Sequence, residues 1–261
     1  MTKRSVTKQG QSDSTEDKER GLEAAFTINM RVFHAKFGNR YPYWHFDLNS
    51  GNGWNDKVNC IGSPLAFLRA ASRFDALQYF SMFCDKDGQA IKTLLARPEI
   101  ATNPQAFCFH GDNASLIEAI PYMIRHARER ADMAMGMVLS DPNGFETPLD
   151  ELADLAKKCP KIDFAIHWNS RIRKLYRGQG WDFVDIDEAI NKLDKQHWLI
   201  RNPLGAHQWT VLIGRNTRLN DHRAMGYHHL ESDMGQHILK RCKARLDGDD
   251  DDGFEQMAME L

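Results

Sequence analysis

Several patterns are missing from this sequence, and each absence excludes a class of protein. No apolar run is long enough to cross a bilayer, and the first residues are polar and charged where a secretory signal peptide has its apolar stretch. We therefore expect a soluble, cytoplasmic protein without a membrane partner.

Cysteine is scarce and scattered. The five cysteines are an odd number, and no two of them form a Cys-x-x-Cys pair. This pattern indicates reduced thiols and argues against a disulfide framework or a structural zinc site. We expect no metal site.

Neither sign of charge dominates the chain, but the charge is unevenly distributed. The formal net charge is −2, and residues 247–261 contain seven acidic residues and no lysine or arginine, so the remainder carries +5. A mildly basic body with an acidic tail is compatible with a nucleic acid partner (DNA or RNA), or with a protein partner that binds the tail. A generic soluble surface would have the same composition.

The length of 261 residues, of which 42% are hydrophobic, suits one α/β domain. Residues 1–21 are polar without an apolar period and predict a disordered arm. The domain is predicted to span residues 22–246, and residues 247–261 to form an acidic disordered tail. Residues 22–37 show a rough helical spacing whose role the sequence leaves open.

The strongest motif follows the first predicted strand. The aromatic run Tyr43–Leu48 predicts a buried strand that places Asp47 at the carboxyl edge of a sheet. Gly51 and Gly53 follow at once, and glycines let the backbone approach a ligand closely. A helix is predicted to begin at Ser63 as N-cap, with a proline next, so its free N–H groups would face an anionic group. A simple tight turn would also explain the glycines.

Two further predicted strands end in acids. The run from Leu77 ends at Asp85, and an acid at this place in nucleotide-binding folds accepts hydrogen bonds from ribose hydroxyls. The run from Ala106 leads to Asp112 and Asn113, which are candidates for reading an adenine edge. Surface acids at strand ends are also common, so this interpretation depends on the whole pattern.

The fourth predicted strand, from Met135, ends in Asp141-Pro-Asn-Gly144. The proline favours extended geometry at Asp141, and Asn-Gly permits a sharp turn. The motif would present an acid and an amide beside the glycine loop. An Asp-Pro turn before a helix over residues 149–158 is the alternative explanation.

Basic and aromatic residues follow the fifth predicted strand, Ile162–Trp168. Such residues can stack a base and track a phosphate backbone, although a charged helix face looks the same. The candidate substrate-binding residues are Trp168, Asn169, Arg171 and Arg173. Two later runs, His197–Ile200 and Gln208–Gly214, are joined by a short loop and predict an antiparallel pair.

Together these motifs resemble the three-Cys-motif partner family of class I S-adenosylmethionine-dependent methyltransferases. The likeness covers most of Phe26 to Arg245 and is carried by Asp47-Leu-Asn-Ser-Gly-Asn-Gly53, Gly62-Ser-Pro-Leu65, Asp85 and Asp141-Pro-Asn-Gly144. It implies an α/β, Rossmann-like fold: a mostly parallel seven-stranded sheet with a C-terminal antiparallel strand pair and helices on both faces. The residues that depart from the family pattern are Asn49, Ser50, Asn52 and Asn143.

The resemblance also implies a role for each site residue. S-adenosylmethionine would be the cofactor, with its methionine end beside Asp47, its ribose beside Asp85 and its adenine beside Asp112. Asp141 would lie at the methyl-transfer site; with Asn143 and Phe145 it distantly resembles the motif by which amino-methyltransferases grip a flipped base. The implied cofactor-binding residues are Asp47, Asn49, Ser50, Gly51, Gly53, Ser63, Asp85, Asp112 and Asn113.

The predicted function is therefore S-adenosylmethionine-dependent methyl transfer to an amino group of a nucleic acid base. Two alternatives stay open. The first is another nucleotide-dependent α/β enzyme, for example a dinucleotide oxidoreductase, which would have Gly-x-Gly-x-x-Gly running into a helix, whereas Asp56 stands at the third position here. A non-catalytic cofactor-binding module of the same fold would have the same motifs without turnover.

Overall fold

In the computed structural model, residues 15–56, 59–142, 147–169, 185–202, 209–218 and 222–244 are described. They form one eight-stranded sheet with helices on both faces and a separate two-stranded ribbon, β2–β3. In chain order the elements are α1 (Thr15–Phe37), β1 (Tyr43–Asp47), β2 (Trp54–Asn55), β3 (Cys60–Ile61), α2 (Ser63–Ala71), β4 (Tyr79–Asp85), α3 (Gly88–Leu95), α4 (Pro98–Ala101), β5 (Ala106–His110), α5 (Asn113–His126), β6 (Met135–Ser140), α6 (Leu149–Lys158), β7 (Ile162–Asn169), α7 (Ile186–Lys192), β8 (His197–Arg201), β9 (Trp209–Arg215), β10 (Tyr227–His229) and α8 (Asp233–Ala244).

The strand order is β5-β4-β1-β6-β7-β9-β8-β10. Strand β1 pairs in parallel with β4 and β6, which pair in parallel with β5 and β7. Strand β9 runs antiparallel between β7 and β8, and β10 is antiparallel to β8. The predicted α/β fold, with a mostly parallel sheet and antiparallel strands, is confirmed. We predicted seven strands, whereas the sheet has eight because β10 extends its edge.

The sheet is covered on both faces, which explains why its central strands are apolar throughout. On one face, α1 and α2 pack against side chains such as Tyr43 and Met137. On the other face, α5 to α8 pack against side chains such as Phe46 and Val138. Neighbouring residues of one strand thus serve two separate apolar cores. Among the described helices, none is both long and apolar enough to cross a membrane.

The start of the fold requires a correction. Helix α1 begins at Thr15, so residues 15–21 are helical and do not belong to a disordered arm. The prediction failed because the first turns of α1 are held by ion pairs: Asp17 pairs with Arg201 and Lys18 pairs with Asp141. A helix held by ion pairs needs no regular spacing of apolar residues, and that spacing is the signal by which a helix is predicted from sequence. Residues 1–14 and the predicted acidic tail lie outside the described residues.

The connection from the glycine loop to α2 also differs from the prediction. The ribbon β2–β3 fills the insertion between them, with Trp54 opposite Ile61 and Asn55 opposite Cys60. The N-cap of α2 is Gly62, not Ser63. The Ser63 hydroxyl donates instead to Asp47. All five cysteines are free thiols, as the sequence predicts.

Candidate active site

The order of the strands reverses its direction between β1 and β6. From β1 the chain proceeds to β4 and β5 on one side, and then to β6 and β7 on the other. In open α/β sheets, ligands bind outside the carboxyl ends of the strands at such a switch point. Asp47 ends β1 and Asp141 follows β6, so both acids lie at the switch point.

The glycine loop after β1 is fixed to strands on either side of it. The backbone N–H of Leu48 donates to the carbonyl of Leu139 at 3.0 Å, and that of Ser50 donates to the carbonyl of Cys84 at 2.8 Å. Gly51 has a φ of +58°, and a Cβ built on it would meet no atom within 4 Å. The loop therefore needs glycine for its backbone conformation and leaves open space above it, which suits the close approach of a ligand.

Asp47 lies buried beneath this loop. Its Oδ2 accepts a hydrogen bond from the Ser63 hydroxyl at 2.7 Å, and its Oδ1 accepts one from the N–H of Asn49 at 3.1 Å. Burial raises the pKa of Asp47 to about 7, although these two hydrogen bonds act to lower it. The negative charges of Asp141 and Asp85 add to the upward shift. A positively charged group bound nearby would hold this carboxylate ionised.

Asp85 and Asp112 each accept hydrogen bonds from the backbone. Asp85 accepts from the N–H of Gly51 and from that of Asp87, both at 2.8 Å, so it joins the glycine loop to β4. Asp112 caps α5 and accepts from the N–H and the hydroxyl of Ser115 at 2.8 and 2.7 Å. These hydrogen bonds hold the pKa of Asp112 below its ordinary value. Ribose and adenine binding by the two acids stay predictions.

The three acids that close the first three parallel strands gather around one thiol. Burial raises the pKa of Cys84 to about 12, and the negative charges of Asp47, Asp85 and Asp112 contribute to the shift. Contacts agree with this: Cys84 Sγ lies 3.4 Å from the carbonyl oxygen of Gly111, beside Asp112, and Asp85 accepts a hydrogen bond from the glycine loop that follows Asp47. The structure thus brings together residues that the sequence separates by up to 65 positions.

Asp141 forms the second half of the site. It is only 6% exposed, its Oδ2 accepts a hydrogen bond from Lys18 Nζ at 2.8 Å, and its Oδ1 lies 2.9 Å from His167 Nδ1. Burial alone would raise the pKa of Asp141, but the charges of Lys18 and His167 outweigh it and hold the pKa below the ordinary value. Burial alone would lower the pKa of Lys18, but the neighbouring carboxylates outweigh burial and raise this pKa. The two side chains therefore form a buried ion pair.

Three residues of this cluster, Lys18, Glu19 and His167, were absent from the predicted site. Glu19 is 8% exposed, and its Oε1 lies 3.9 Å from Lys18 Nζ. The sequence does contain a signal for Lys18 and Glu19. They stand four and three positions before the apolar Leu22, so on a helix they share the face of this residue, which the structure buries. His167 gave no such signal, because it stands within an ordinary apolar strand.

The first turns of α1 are held over the carboxyl edge of the sheet by two further contacts. Asp17 accepts from both terminal nitrogens of Arg201, at 2.6 and 3.2 Å. The Tyr227 hydroxyl donates to the carbonyl of Gly21 at 2.9 Å. Lys18 and Glu19 are thus placed in the site by a fixed helix.

Several buried polar atoms at this edge have no hydrogen-bond partner within the described part of the chain. They are Glu19 Oε2, Asn49 Oδ1, Ser50 Oγ, Ser140 Oγ and His167 Nε2. Buried polar groups are nearly always hydrogen-bonded, so a cluster of this kind marks a place where a ligand can supply the partners. These atoms come from α1 and from the ends of β1, β6 and β7.

Comparison with known proteins identifies the fold. No protein-family model and no curated protein matches the sequence. A protein from Thermobifida fusca, provisionally described as a methyltransferase, superimposes with a TM-score of 0.52 at 14% identity over 80% of this chain and 84% of that chain. Protein LPL1258 from Legionella pneumophila gives a TM-score of 0.52 at 12% identity, over 80% and 88% of the two chains. Monomeric WbdD gives 0.50 at 14% identity, over 77% of this chain and 42% of WbdD.

The fold is class I methyltransferase-like. At identities this low the comparisons show the fold alone, and the narrower likeness to the three-Cys-motif partner family stays a prediction. The unpartnered atoms of Asn49 and Ser50 and the open space at Gly51 offer hydrogen-bond partners and room for a polar ligand, and these residues are compatible with S-adenosylmethionine.

Some predicted site residues are not placed. Asn143, Phe145, Arg171 and Arg173 lie outside the described residues. Trp168 is half-buried and packs against the core under α5 to α8, and Asn169 is the last residue of β7, opposite Trp209. In the described part of the chain, no three His, Cys, Asp or Glu side chains are grouped to hold a metal ion.

Proposed function

We propose that this protein is an S-adenosylmethionine-dependent methyltransferase whose acceptor is a neutral amino group, such as that of a nucleic acid base. The supporting observation is the buried carboxylate of Asp141, held ionised at the switch point beside the glycine loop. Its Oδ1 lies 2.9 Å from His167 Nδ1, and a carboxylate oxygen has a second lone pair with which it can accept a hydrogen bond from an amine.

The chain's own residues bind, orient and exclude water. Asp47, the loop from Asn49 to Gly53 and Asp85 would hold S-adenosylmethionine, which supplies a methyl group on a positively charged sulfur. Methyl transfer is an in-line displacement, so most of the rate comes from holding the acceptor nitrogen in line and in contact. A buried and fixed Asp141 suits that task because its position is set by Lys18 before an acceptor binds.

The charge around Asp141 favours a neutral acceptor. Lys18 cancels the charge of Asp141 at a distance of 2.8 Å. Because Asp141 is already paired with a cation, it needs no charge on the acceptor and can accept a hydrogen bond from the uncharged exocyclic amine of a base. The charge on Asp141 is thus compatible with a base as the acceptor.

The test is transfer of a labelled methyl group from S-adenosylmethionine to separate DNA, RNA and protein pools. We expect label in a nucleic acid pool. Asp141→Asn should lower the rate by about 100-fold or more while cofactor binding, measured by calorimetry, persists. Asp154→Asn is the matched control, because Asp154 is exposed on α6, where it pairs with Lys157.

The other outcomes separate the alternatives. Cofactor binding without transfer to any pool would support a non-catalytic module, and binding of NAD would support an oxidoreductase. Unchanged turnover in Asp141→Asn would exclude the role assigned to this residue. Label in protein alone would contradict the proposed acceptor.

A further inference from the structure

Glu19 is a buried charged group for which the proposed reaction has so far no use. Its Oε2 has no hydrogen-bond partner in the described part of the chain, and the nearest cation, Lys18 Nζ, lies 3.9 Å from Oε1 and only 2.8 Å from Asp141. Burying a carboxyl group without a full set of partners lowers stability. A buried carboxyl group with an unpartnered oxygen beside the candidate acceptor site suggests a function.

The groups around Glu19 make it a better proton acceptor than Asp141. Lys18 acts on it from the same helix, Asp141 from the end of β6 and Asp47 from the end of β1. His167 on β7 contacts Asp141, not Glu19, and Arg201 on β8 is engaged by Asp17. Glu19 thus faces two carboxylates and one lysine, whereas Asp141 has Lys18 on one oxygen and His167 on the other.

Two carboxyl groups in one site with opposite shifts usually have different roles. Burial raises the pKa of Glu19 to about 8, while Lys18 and His167 outweigh burial and hold the pKa of Asp141 below its ordinary value. A general base works best when its pKa lies near the working pH. Asp141 is suited to orienting the acceptor, and Glu19 to taking a proton from it.

We propose that the Glu19 carboxylate is the base that removes the proton from the acceptor nitrogen during methyl transfer. This inference depends on the proposed function. The nitrogen forms a bond to the methyl carbon as the carbon–sulfur bond breaks, and the electron pair of that bond leaves with the sulfur. The N–H proton passes to Oε2 of Glu19, which becomes a neutral carboxylic acid and later releases the proton to solvent.

The experiment compares full-length wild type with Glu19→Gln, Glu19→Asp and the control Glu118→Gln, an exposed residue on α5. Single-turnover transfer of labelled methyl is measured from pH 6 to 9 on the pool that wild type labels. We expect the wild-type rate to rise with pH and level off above about pH 8. Glu19→Gln should be about 100-fold slower at pH 8 and lose that rise, with unchanged cofactor binding.

Further measurements separate a proton acceptor from a structural role. Glu19→Asp should recover part of the rate together with the pH dependence. In wild type, one 13C-labelled glutamate carboxyl should titrate near pH 8, and that signal should vanish in Glu19→Gln. Glu19→Gln with the wild-type rate and pH profile, or a Glu19 carboxyl that titrates near pH 4.5, would overturn the inference and leave the proposed function standing. Absence of cofactor binding and transfer in wild type would overturn both.

Discussion

The contact between Lys18 and Asp141 joins residues 123 positions apart and decides the electrostatics of the site. Each charge is costly to bury alone, and their attraction offsets that cost only while both are present. The proposal that Asp141 orients an acceptor therefore depends on Lys18 as well. A substitution of either partner leaves the other as an unpaired buried charge.

We expect Lys18→Met to lower the free energy of unfolding by roughly 3–5 kcal/mol at pH 7, measured by urea denaturation. Lys157→Met should change it by less than about 1 kcal/mol, because its pair with Asp154 is exposed. The double variant Lys18→Met, Asp141→Leu should recover most of the stability without recovering transfer. A loss from Lys18→Met no larger than that of the control would show that the pair contributes little.

Residues of the site differ in how far the sequence predicts them. Asp47, Asp85 and Asp141 are visible because each follows an apolar strand and precedes a turn, which is a local pattern. Lys18 and Glu19 become part of the site only through contacts with distant strands. Local sequence patterns do not reveal such long-range contacts. A charged segment therefore has the same pattern whether its side chains pair with buried partners or are solvated.

Asp47 ends β1 and Asp141 follows β6, and the pairing of these two strands allows no side chain at one position. Gly136 on β6 lies opposite Trp44 on β1. A Cβ added to Gly136 would lie 1.8 Å from the carbonyl oxygen of Trp44, so the two strands would have to separate. The positions of Asp47 and Asp141 therefore depend on this glycine.

We expect Gly136→Ala to cost more than about 3 kcal/mol of stability, or to prevent folding, as measured by thermal and urea denaturation. Gly38→Ala is the control: its φ is +58°, but a Cβ would meet no atom within 4 Å, so only about 1–2 kcal/mol of backbone strain should appear. Equal losses in the two variants would mean that the β1–β6 pair adapts easily.

The elements themselves were predicted unevenly. Helix α6 begins and ends at the predicted residues, and the antiparallel pair β8–β9 is confirmed, because apolar periods and short loops define such elements locally. The ribbon β2–β3 and strand β10 were missed. Both are only two or three residues long, and segments of that length are strands only through pairing with a neighbour.

The whole fold could be predicted in class but not in detail. Alternating apolar strands and helices predict a parallel sheet with helices on both faces. Which strands are neighbours depends on long-range packing, and so does the eighth strand. This packing also buries several ionisable groups and shifts their pKa values. The shifted groups make the free energy of unfolding depend on pH.

The pH dependence has a defined sign between about pH 6.5 and 8. Burial raises the pKa of Glu19 from 4.5 to about 8 and that of Asp47 from 3.8 to about 7. In this window the unfolded chain has already released both protons, while the folded chain holds that of Asp47 up to about pH 7 and that of Glu19 up to about pH 8, so stability falls as pH rises. His45, whose pKa burial lowers from 6.5 to about 3, opposes this trend at the lower end of the window and below it, where the unfolded chain still binds part of that proton. The pKa of Lys195, which burial lowers to about 8, opposes the trend from about pH 7 upward, because the folded chain begins to release that proton there.

We therefore expect the free energy of unfolding to fall by about 1–2 kcal/mol from pH 6.5 to 8, since one pKa unit corresponds to about 1.4 kcal/mol. Urea denaturation at half-unit intervals measures the change. Glu19→Gln should flatten the curve and be more stable than wild type at pH 8, because the variant has no carboxyl to ionise. Glu118→Gln should follow the wild-type curve. A wild-type stability that rises across this window would contradict the raised pKa values, and with them the role of Glu19 as a proton acceptor.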